Sequence, residues 1–202
     1  MARYSTRSWR AFRPRSGLES ITLVASDCRV LGIDPGSQRT GFGIIDCDAG
    51  GEHHVASGCI DVAGRAMVAR LQRIHAAMSA LVLEHRPDMI AIERVFLHRN
   101  PDSALKLGQA RGVALCAAAA LGASVHEYAP RAIKLAVTGY GAAAKPQVAQ
   151  MVRTLLRLDA LLAADAADAL AAALCHAQTR RLGALADGAA GTAGRTASVT
   201  AR

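Results

Sequence analysis

Four acidic residues stand at positions where chemistry, rather than solubility, would explain them. Asp34 and Glu93 each end a short, strongly apolar run, and an acid at the end of a core strand often marks a functional site. Asp165 and Asp168 lie three residues apart in an Ala-rich segment of high helix propensity, so their side chains share one helix face. Two carboxylates placed in this way repel each other unless a cation lies between them.

Each acid also has an ordinary structural interpretation. Asp34 and Glu93 could cap a following turn or helix. Asp165 and Asp168 could lie in a first helical turn, where the positive end of the helix dipole tolerates acids. The combination of the four favours chemistry, because two acids at strand ends and two on one helix face supply the oxygen ligands that two Mg²⁺ ions require. The seven His are scattered, and no Ser/His/Asp or Cys/His arrangement suggests a nucleophile instead.

Short apolar runs separated by turn residues predict the strands that would position these acids. The first two runs flank the turn signal Pro35-Gly36-Ser37 and read as a hairpin, and a third run follows directly. Two further runs come later, each between predicted helices. The predicted strands are residues 29–34, 40–45, 54–62, 88–93 and 124–128.

Apolar residues that recur every three or four positions predict an amphipathic helix over residues 66–85, ended by Pro87. We expect Asp102 or Ser103 to cap a second helix that ends near Ala120. After the fifth strand the chain is expected to be helical, apart from a Gly-rich break at 139–141. Strands that first form a meander and then alternate with helices predict the α/β class, with a sheet flanked by helices.

The net charge of +8 comes mostly from the two ends of the chain. Residues 1–28 hold five Arg against two acids, and residues 178–202 hold four Arg against one. Residues 29–177 carry 15 basic and 13 acidic side chains, a net charge of only +2. The high pI is therefore weak evidence for nucleic-acid binding. Neutralisation of four interior acids by metal would leave that region distinctly basic.

The two ends also lack the pattern of a folded core. Residues 1–28 are interpreted as a basic, disordered extension, although the acid-free, Arg-rich start superficially resembles an organellar transit peptide. Beyond about Arg181 the chain consists largely of Gly, Ala, Thr and Arg, with few residues able to form a core. This composition predicts a disordered tail over 181–202. One folded domain is expected between them, over residues 29–180.

The five cysteines form no CxxC pair and show no metal-ligand spacing, so neither a zinc site nor a disulfide framework is expected. Free cysteines of this kind favour a reducing cytoplasm as the location. The longest candidate membrane run, residues 112–123, is Ala-rich and too short to span a bilayer. We therefore expect no membrane association.

Five sequence segments indicate a protein family more specifically than any single acid does. Together they closely resemble the RuvC family of Holliday-junction resolvases, over about residues 29–177. The segments are Leu31–Ser37 (LGIDPGS), Thr40–Gly43 (TGFG), Ala91–Phe96 (AIERVF), Asn100–Gly112 (NPDSALKLGQARG) and Asp165–Leu170 (DAADAL).

The resemblance implies a ribonuclease-H-like fold, with a mixed five-stranded sheet flanked by helices. It implies a metal-dependent endonuclease that resolves four-way DNA junctions by paired cuts in recombination and repair. The family works as a homodimer alongside the RuvA and RuvB branch-migration proteins. It uses two Mg²⁺ ions per subunit, with Mn²⁺ as an alternative, to activate a water and stabilise the leaving 3′ oxygen.

The resemblance places the metal-binding and catalytic acids at Asp34, Glu93, Asp165 and Asp168. Three further positions match residues that contact DNA in the family: an aromatic that meets the junction bases and two basic residues near the scissile phosphate. They are Phe96, Lys134 and Lys145. Without the resemblance, Phe96 would read as a core aromatic and the two Lys as solvated surface residues.

Two rival functions come from other classes. The strand, turn and strand of residues 30–45 also resemble nucleotide-binding proteins of the actin and sugar-kinase type, but those need a second such domain and about twice this length. A junction-binding scaffold without activity is the other rival. The presence of all four acids argues against it, and a cleavage assay separates the two.

Overall fold

A computed structural model describes residues 27–94 and 100–196, with side chains described up to residue 186. Its centre is one five-stranded sheet of order β3-β2-β1-β4-β5. The first three strands run antiparallel to one another, whereas β1, β4 and β5 run parallel. The strands are β1 Cys28–Asp34, β2 Arg39–Asp48, β3 Gly51–Asp61, β4 Met89–Glu93 and β5 Ser124–Tyr128.

In the part of the chain that the structure describes, five helices accompany this sheet. They are α1 Met67–His85, α2 Pro101–Ala118, α3 Pro130–Thr138, α4 Lys145–Leu155 and α5 Ala164–Thr196. A short 3-10 turn, Ala119–Leu121, follows α2. The predicted α/β class and the mixed five-stranded sheet flanked by helices are confirmed.

The core is divided by the sheet into two layers, because successive strand residues point to opposite faces. Leu31 and Ile33 of β1 pack with apolar residues of α1 and α2 on one face. Val30 packs on the other face, with residues of α3, α4 and α5. All three side chains are fully buried. Helix α5 is thus the central helix of its layer, and its first turns lie beside the end of β1.

Two glycines allow α5 to lie directly against the strands. A Cβ at Gly32 would come within 1.9 Å of the carbonyl oxygen of Ala169, and one at Gly41 within 2.0 Å of the carbonyl oxygen of Asp165. Only glycine permits such a close approach of two backbones. The first turn of α5 is therefore held close to the strand that pairs with β1.

Helix termini differ from the sequence prediction in two places. Asn100, not Asp102 or Ser103, caps α2, because its side chain accepts hydrogen bonds from the backbone amides of both those residues. Helix α5 continues to Thr196, whereas we predicted disorder from 181 onwards. The Ala-rich composition explains this difference, because Ala has the highest helix propensity. The predicted basic extension falls almost entirely on residues 1–26, outside the described residues.

By length and composition, one helix in the described part of the chain reaches the range of a membrane span. It comprises Pro101–Leu121, with a mean hydropathy of 1.2. This is weak evidence for a membrane, because Ala110, Ala114 and Ala117 of the same helix are buried in the core beside α1.

Candidate active site

Asp34 and Glu93 end two neighbouring parallel strands. The register of β1 and β4 pairs Ile33 with Ile92, so the two acids follow at the same edge of the sheet. Ile33 and Ile92 are fully buried, which fixes both strand ends. The sheet therefore presents two carboxylates side by side, each at the end of its strand.

Helix α5 brings the other two acids to this edge. Asp165 lies in its first turn, where its carbonyl oxygen is in close contact with Gly41 of β2. Asp168 lies one turn further on, and its charge acts on both Asp34 and Glu93. The charge of Asp165 also acts on Asp34. The structure thus brings all four predicted acids into one electrostatically coupled group.

The electrostatics of this group show an excess of negative charge. Burial raises the pKa of Asp34 to about 7, and repulsion from Asp168, Glu93 and Asp165 adds to the rise. Burial likewise raises the pKa of Glu93, and Asp168 adds to it. A buried carboxylate with these neighbours holds a proton more readily than usual, because the charged form is poorly solvated and repelled. This surplus can be relieved by protonation or by a cation.

Lys145 partly compensates the excess negative charge of the four acids. Its ammonium donates a hydrogen bond of 2.6 Å to Oδ2 of Asp168, and this bond raises the pKa of Lys145. The charge of Lys145 also offsets part of the rise in the pKa of Asp34 and Glu93 that burial causes. Its side chain remains 76% exposed while that of Asp168 is 19% exposed, so the lysine reaches into the site from the solvent side.

Lys134 of α3 lies on the same side. Its charge offsets part of the rise in the pKa of Glu93 that burial causes, and it lines a small pocket of about 80 Å³ next to the acids. The pocket is also lined by Glu93, Lys145 and Asp168. Both predicted DNA-contacting lysines therefore border the acidic group. The third predicted contact, Phe96, lies outside the described residues.

Within residues 27–94 and 100–196, no three His, Cys, Asp or Glu side chains converge closely enough to form a ready-made metal site. The four acids are nevertheless suited to hard cations: they offer carboxylate oxygens only, and their charges raise the pKa of Asp34 and Glu93. The donor set therefore fits Mg²⁺ or Mn²⁺ by its chemistry.

Comparison with known proteins agrees with this geometry. A family model described as crossover junction endodeoxyribonuclease RuvC matches residues 30–176. The chain belongs to the RuvC family. The crossover junction endodeoxyribonuclease RuvC of Alkalilimnicola ehrlichii is 52% identical over 163 residues, which cover 77% of this chain and 99% of that protein. The RuvC of Tolumonas auensis is also 52% identical, over 75% of this chain and 88% of its own length.

A solved RuvC structure gives the same result for the fold. Thermus thermophilus RuvC in complex with a Holliday junction substrate is 36% identical, with a TM-score of 0.72. The match covers 78% of this chain and 97% of that one. The fold is accordingly ribonuclease-H-like, as the resemblance implied.

Sequence reasoning missed one contact in this RuvC site. The thiol of Cys59 on β3 donates a hydrogen bond to Oδ2 of Asp165, at a sulfur to oxygen distance of 3.7 Å. The two residues are 106 positions apart. Because Cys59 lies in no metal-ligand spacing, the sequence carried no signal for it.

Arg94 directly follows Glu93 and is held by the edge strand. Its backbone amide donates to the carbonyl of Tyr128, and its Nε lies 4.0 Å from Oε2 of Glu127. The other oxygen of Glu127 accepts a 2.7 Å hydrogen bond from Arg111 of α2. Glu127 therefore links α2 to the end of β4, where the chain leaves the acidic group.

Proposed function

We propose that this chain is a structure-selective DNA endonuclease that resolves Holliday junctions by metal-dependent hydrolysis of phosphodiester bonds, in homologous recombination and DNA repair. The observation that carries the proposal is the coupled group of Asp34, Glu93, Asp165 and Asp168 at one sheet edge, with Lys145 beside it. The relatives that share 52% identity are named as crossover junction endodeoxyribonucleases. The similar solved RuvC holds a Holliday junction substrate.

We propose Mg²⁺ as the metal, two ions per subunit, with Mn²⁺ as an alternative. Asp34, Glu93, Asp165 and Asp168 would hold them, because their carboxylate oxygens are the ligands that these cations prefer. When bound, a pair of such ions activates a water and stabilises the leaving oxygen of an in-line displacement. Because the pKa of Asp34 is raised to about 7, cation binding would compete with protonation of this carboxyl near neutral pH.

The chain's own residues also prepare the site for an anionic substrate. Four bare carboxylates would repel a phosphate, but Lys145 and Lys134 border them with positive charge. A lysine ammonium binds a phosphate as a compact point charge. We propose that both lysines hold the DNA backbone beside the acids. Phe96 remains proposed as the residue that stacks on junction bases, where a stacking contact contributes about 1 to 3 kcal/mol.

The deciding experiment uses the purified chain with a synthetic four-way junction and Mg²⁺. We expect paired cuts near the crossover, and no cutting of a linear duplex of the same sequence or of the junction in EDTA. Equal cutting of linear duplex would overturn the structure selectivity. Binding of the junction with no cutting in either metal would favour the inactive scaffold.

We further propose that the working unit is a homodimer, and that its interface includes one face of α2. This face is defined by Leu105, Gly108, Gly112 and Cys116, which follow one another at helical spacing and are all exposed. Nothing lies within 4 Å of a Cβ placed at Gly108 or Gly112. A second copy of the chain is the proposed occupant of this face, because the two glycines would let two helices approach closely. A two-fold dimer also matches a junction, which offers two equivalent strands to cut.

Two proposals rest on family membership and composition. RuvA and RuvB are proposed as partners because the chain belongs to the RuvC family. A cytoplasmic location is proposed because all five cysteines are free thiols, which suits a reducing compartment.

A further inference from the structure

The sulfur of Cys59 lies between β3 and the first turn of α5 and has two hydrogen-bond partners. Its S–H donates to Oδ2 of Asp165 at 3.7 Å. A backbone hydrogen bond from Ala166 reaches the same sulfur. The amides of a first helical turn have no partner within their helix. Cys59 therefore satisfies one of these amides and binds a carboxylate of the acidic group at the same time.

The backbone of Asp165 is fixed by the neighbouring strand β2, on the same face of the sheet as Cys59. In the ladder of β2 and β3, Cys59 is the partner of Gly41, and Gly41 lies against the carbonyl of Asp165. The strand pair therefore holds the backbone of Asp165 through Gly41 and its side chain through Cys59. A short side chain with one oxygen engaged has few remaining orientations.

We infer that Cys59 is a positioning residue for metal binding: it holds Asp165 by Oδ2 and leaves Oδ1 for a cation. The inference deepens the proposed function, since it rests on Asp165 being a metal-binding acid. Groups that orient a metal-binding side chain typically change metal affinity or activity by about 10- to 100-fold when they are lost. An S–H donor is weaker than most such groups, so the expected change lies at the lower end.

The test compares Cys59→Ala, which removes both hydrogen bonds, with Cys59→Ser, which restores a donor and an acceptor. The matched control is Cys47→Ala, which removes a half-buried thiol from the opposite end of the sheet. Mg²⁺ binding to the DNA-free chain is measured by calorimetry, together with the Mg²⁺ concentration that gives half-maximal junction cutting.

We expect Cys59→Ala to weaken Mg²⁺ binding and raise that concentration by about 10-fold, while Cys59→Ser and Cys47→Ala stay within twofold of the unmodified chain. Unchanged Mg²⁺ binding in Cys59→Ala would overturn the inference, as would equal weakening in Cys47→Ala. If Cys59→Ala does not fold, Cys59→Val fills the same strand position without a donor and decides the question. Weakened Mg²⁺ binding in a chain that cuts no junction would contradict the proposed function and leave the inference standing.

Discussion

The ammonium of Lys145, at the start of α4, donates a 2.6 Å hydrogen bond to Oδ2 of Asp168 on α5. In this arrangement the lysine supplies positive charge to the acids from the solvent side, where a metal ion would supply it more strongly. The same side chain is proposed to contact DNA. Asp168 uses one of the three N–H donors of this ammonium, so the same group could also meet a phosphate.

Replacement of Lys145 by Met should separate these two roles. We expect Mg²⁺ to bind the DNA-free variant two- to fivefold more tightly, because a competing cation is gone. Junction cutting at saturating Mg²⁺ should fall by at least about tenfold, because a phosphate contact is lost. Calorimetry and single-turnover cutting measure the two effects. A variant in which both quantities stay at their original values would show that Lys145 is only a solvated surface residue.

Asp34→Asn should abolish cutting and stabilise the metal-free protein. Cutting should fall by at least about 100-fold, since the loss of a ligand exceeds the loss of a group that orients one. Junction binding should be retained or become tighter, because repulsion of the phosphates falls. In EDTA at pH 8 the free energy of unfolding should rise by about 2 kcal/mol, because a buried and repelled charge is removed.

Asp159→Asn is the control for this variant, because Asp159 is an exposed acid outside the site. It should change neither cutting nor stability. Near-normal cutting by Asp34→Asn would show that Asp34 holds no metal.

Stability of the metal-free protein should fall as pH rises through neutrality. The pKa of Asp34 is about 7 in the folded chain, above its unfolded value, so the folded state binds more protons between these two values. Its contribution is fully present below the unfolded pKa and is lost as pH rises through 7. From pH 6.5 to 8 we expect a loss of about 1 kcal/mol in EDTA, which urea unfolding measures.

His176 gives the opposite slope at lower pH. Burial lowers its pKa to about 4, so its contribution is present above its unfolded pKa and is lost as pH falls towards 4. Only the upper edge of this effect falls between pH 6.5 and 8, and it is the same in Asp34→Asn, so comparison of the two proteins isolates Asp34. Asp34→Asn should show a flatter pH profile there, and an unchanged slope would assign the effect to another group.

The ends of the strands at the site could be predicted from the sequence, because apolar runs and turn residues are local features. The fifth strand lies at residues 124–128, as predicted, and Asp34 and Glu93 end their strands. The cap of α2 was wrong by two to three residues, since Asn100, Asp102 and Ser103 are all good caps and only the backbone geometry selects one. The local sequence pattern was sufficient to predict those elements whose structure depends only on neighbouring residues.

Contacts between distant segments could not be predicted in this way. Cys59 meets Asp165 only after β3 has paired with β2 and α5 has packed across both strands. Gly41 belonged to a recognised segment, but its role depends on how closely the helix approaches. Such relations depend on the packed fold and leave no local signature in the chain.

Gly41→Ala should disturb both stability and the acidic group. A Cβ there would lie 2.0 Å from the carbonyl oxygen of Asp165, so the first turn of α5 must move away. We expect a loss of about 2 kcal/mol or more in the free energy of unfolding, and weaker Mg²⁺ binding. Gly183→Ala is the matched control, because nothing lies within 4 Å of its Cβ and Ala favours helix. Equal stability of the two variants would contradict this account of the packing.

Gly112→Arg should dissociate the proposed homodimer without unfolding the chain. The position is exposed on α2 and has open space around it, so an Arg disturbs only a partner that lies against this face. Sedimentation at micromolar concentration should show a monomer for this variant and a dimer for the unmodified chain. The matched control, Leu182→Arg, introduces the same charge at an exposed position of α5 on the other side of the sheet, and should remain dimeric. Since one subunit holds one acidic group, the monomer should nick junctions singly and lose paired cutting. A dimer that survives Gly112→Arg would move the interface away from this face, and paired cutting by a proven monomer would refute the two-fold arrangement.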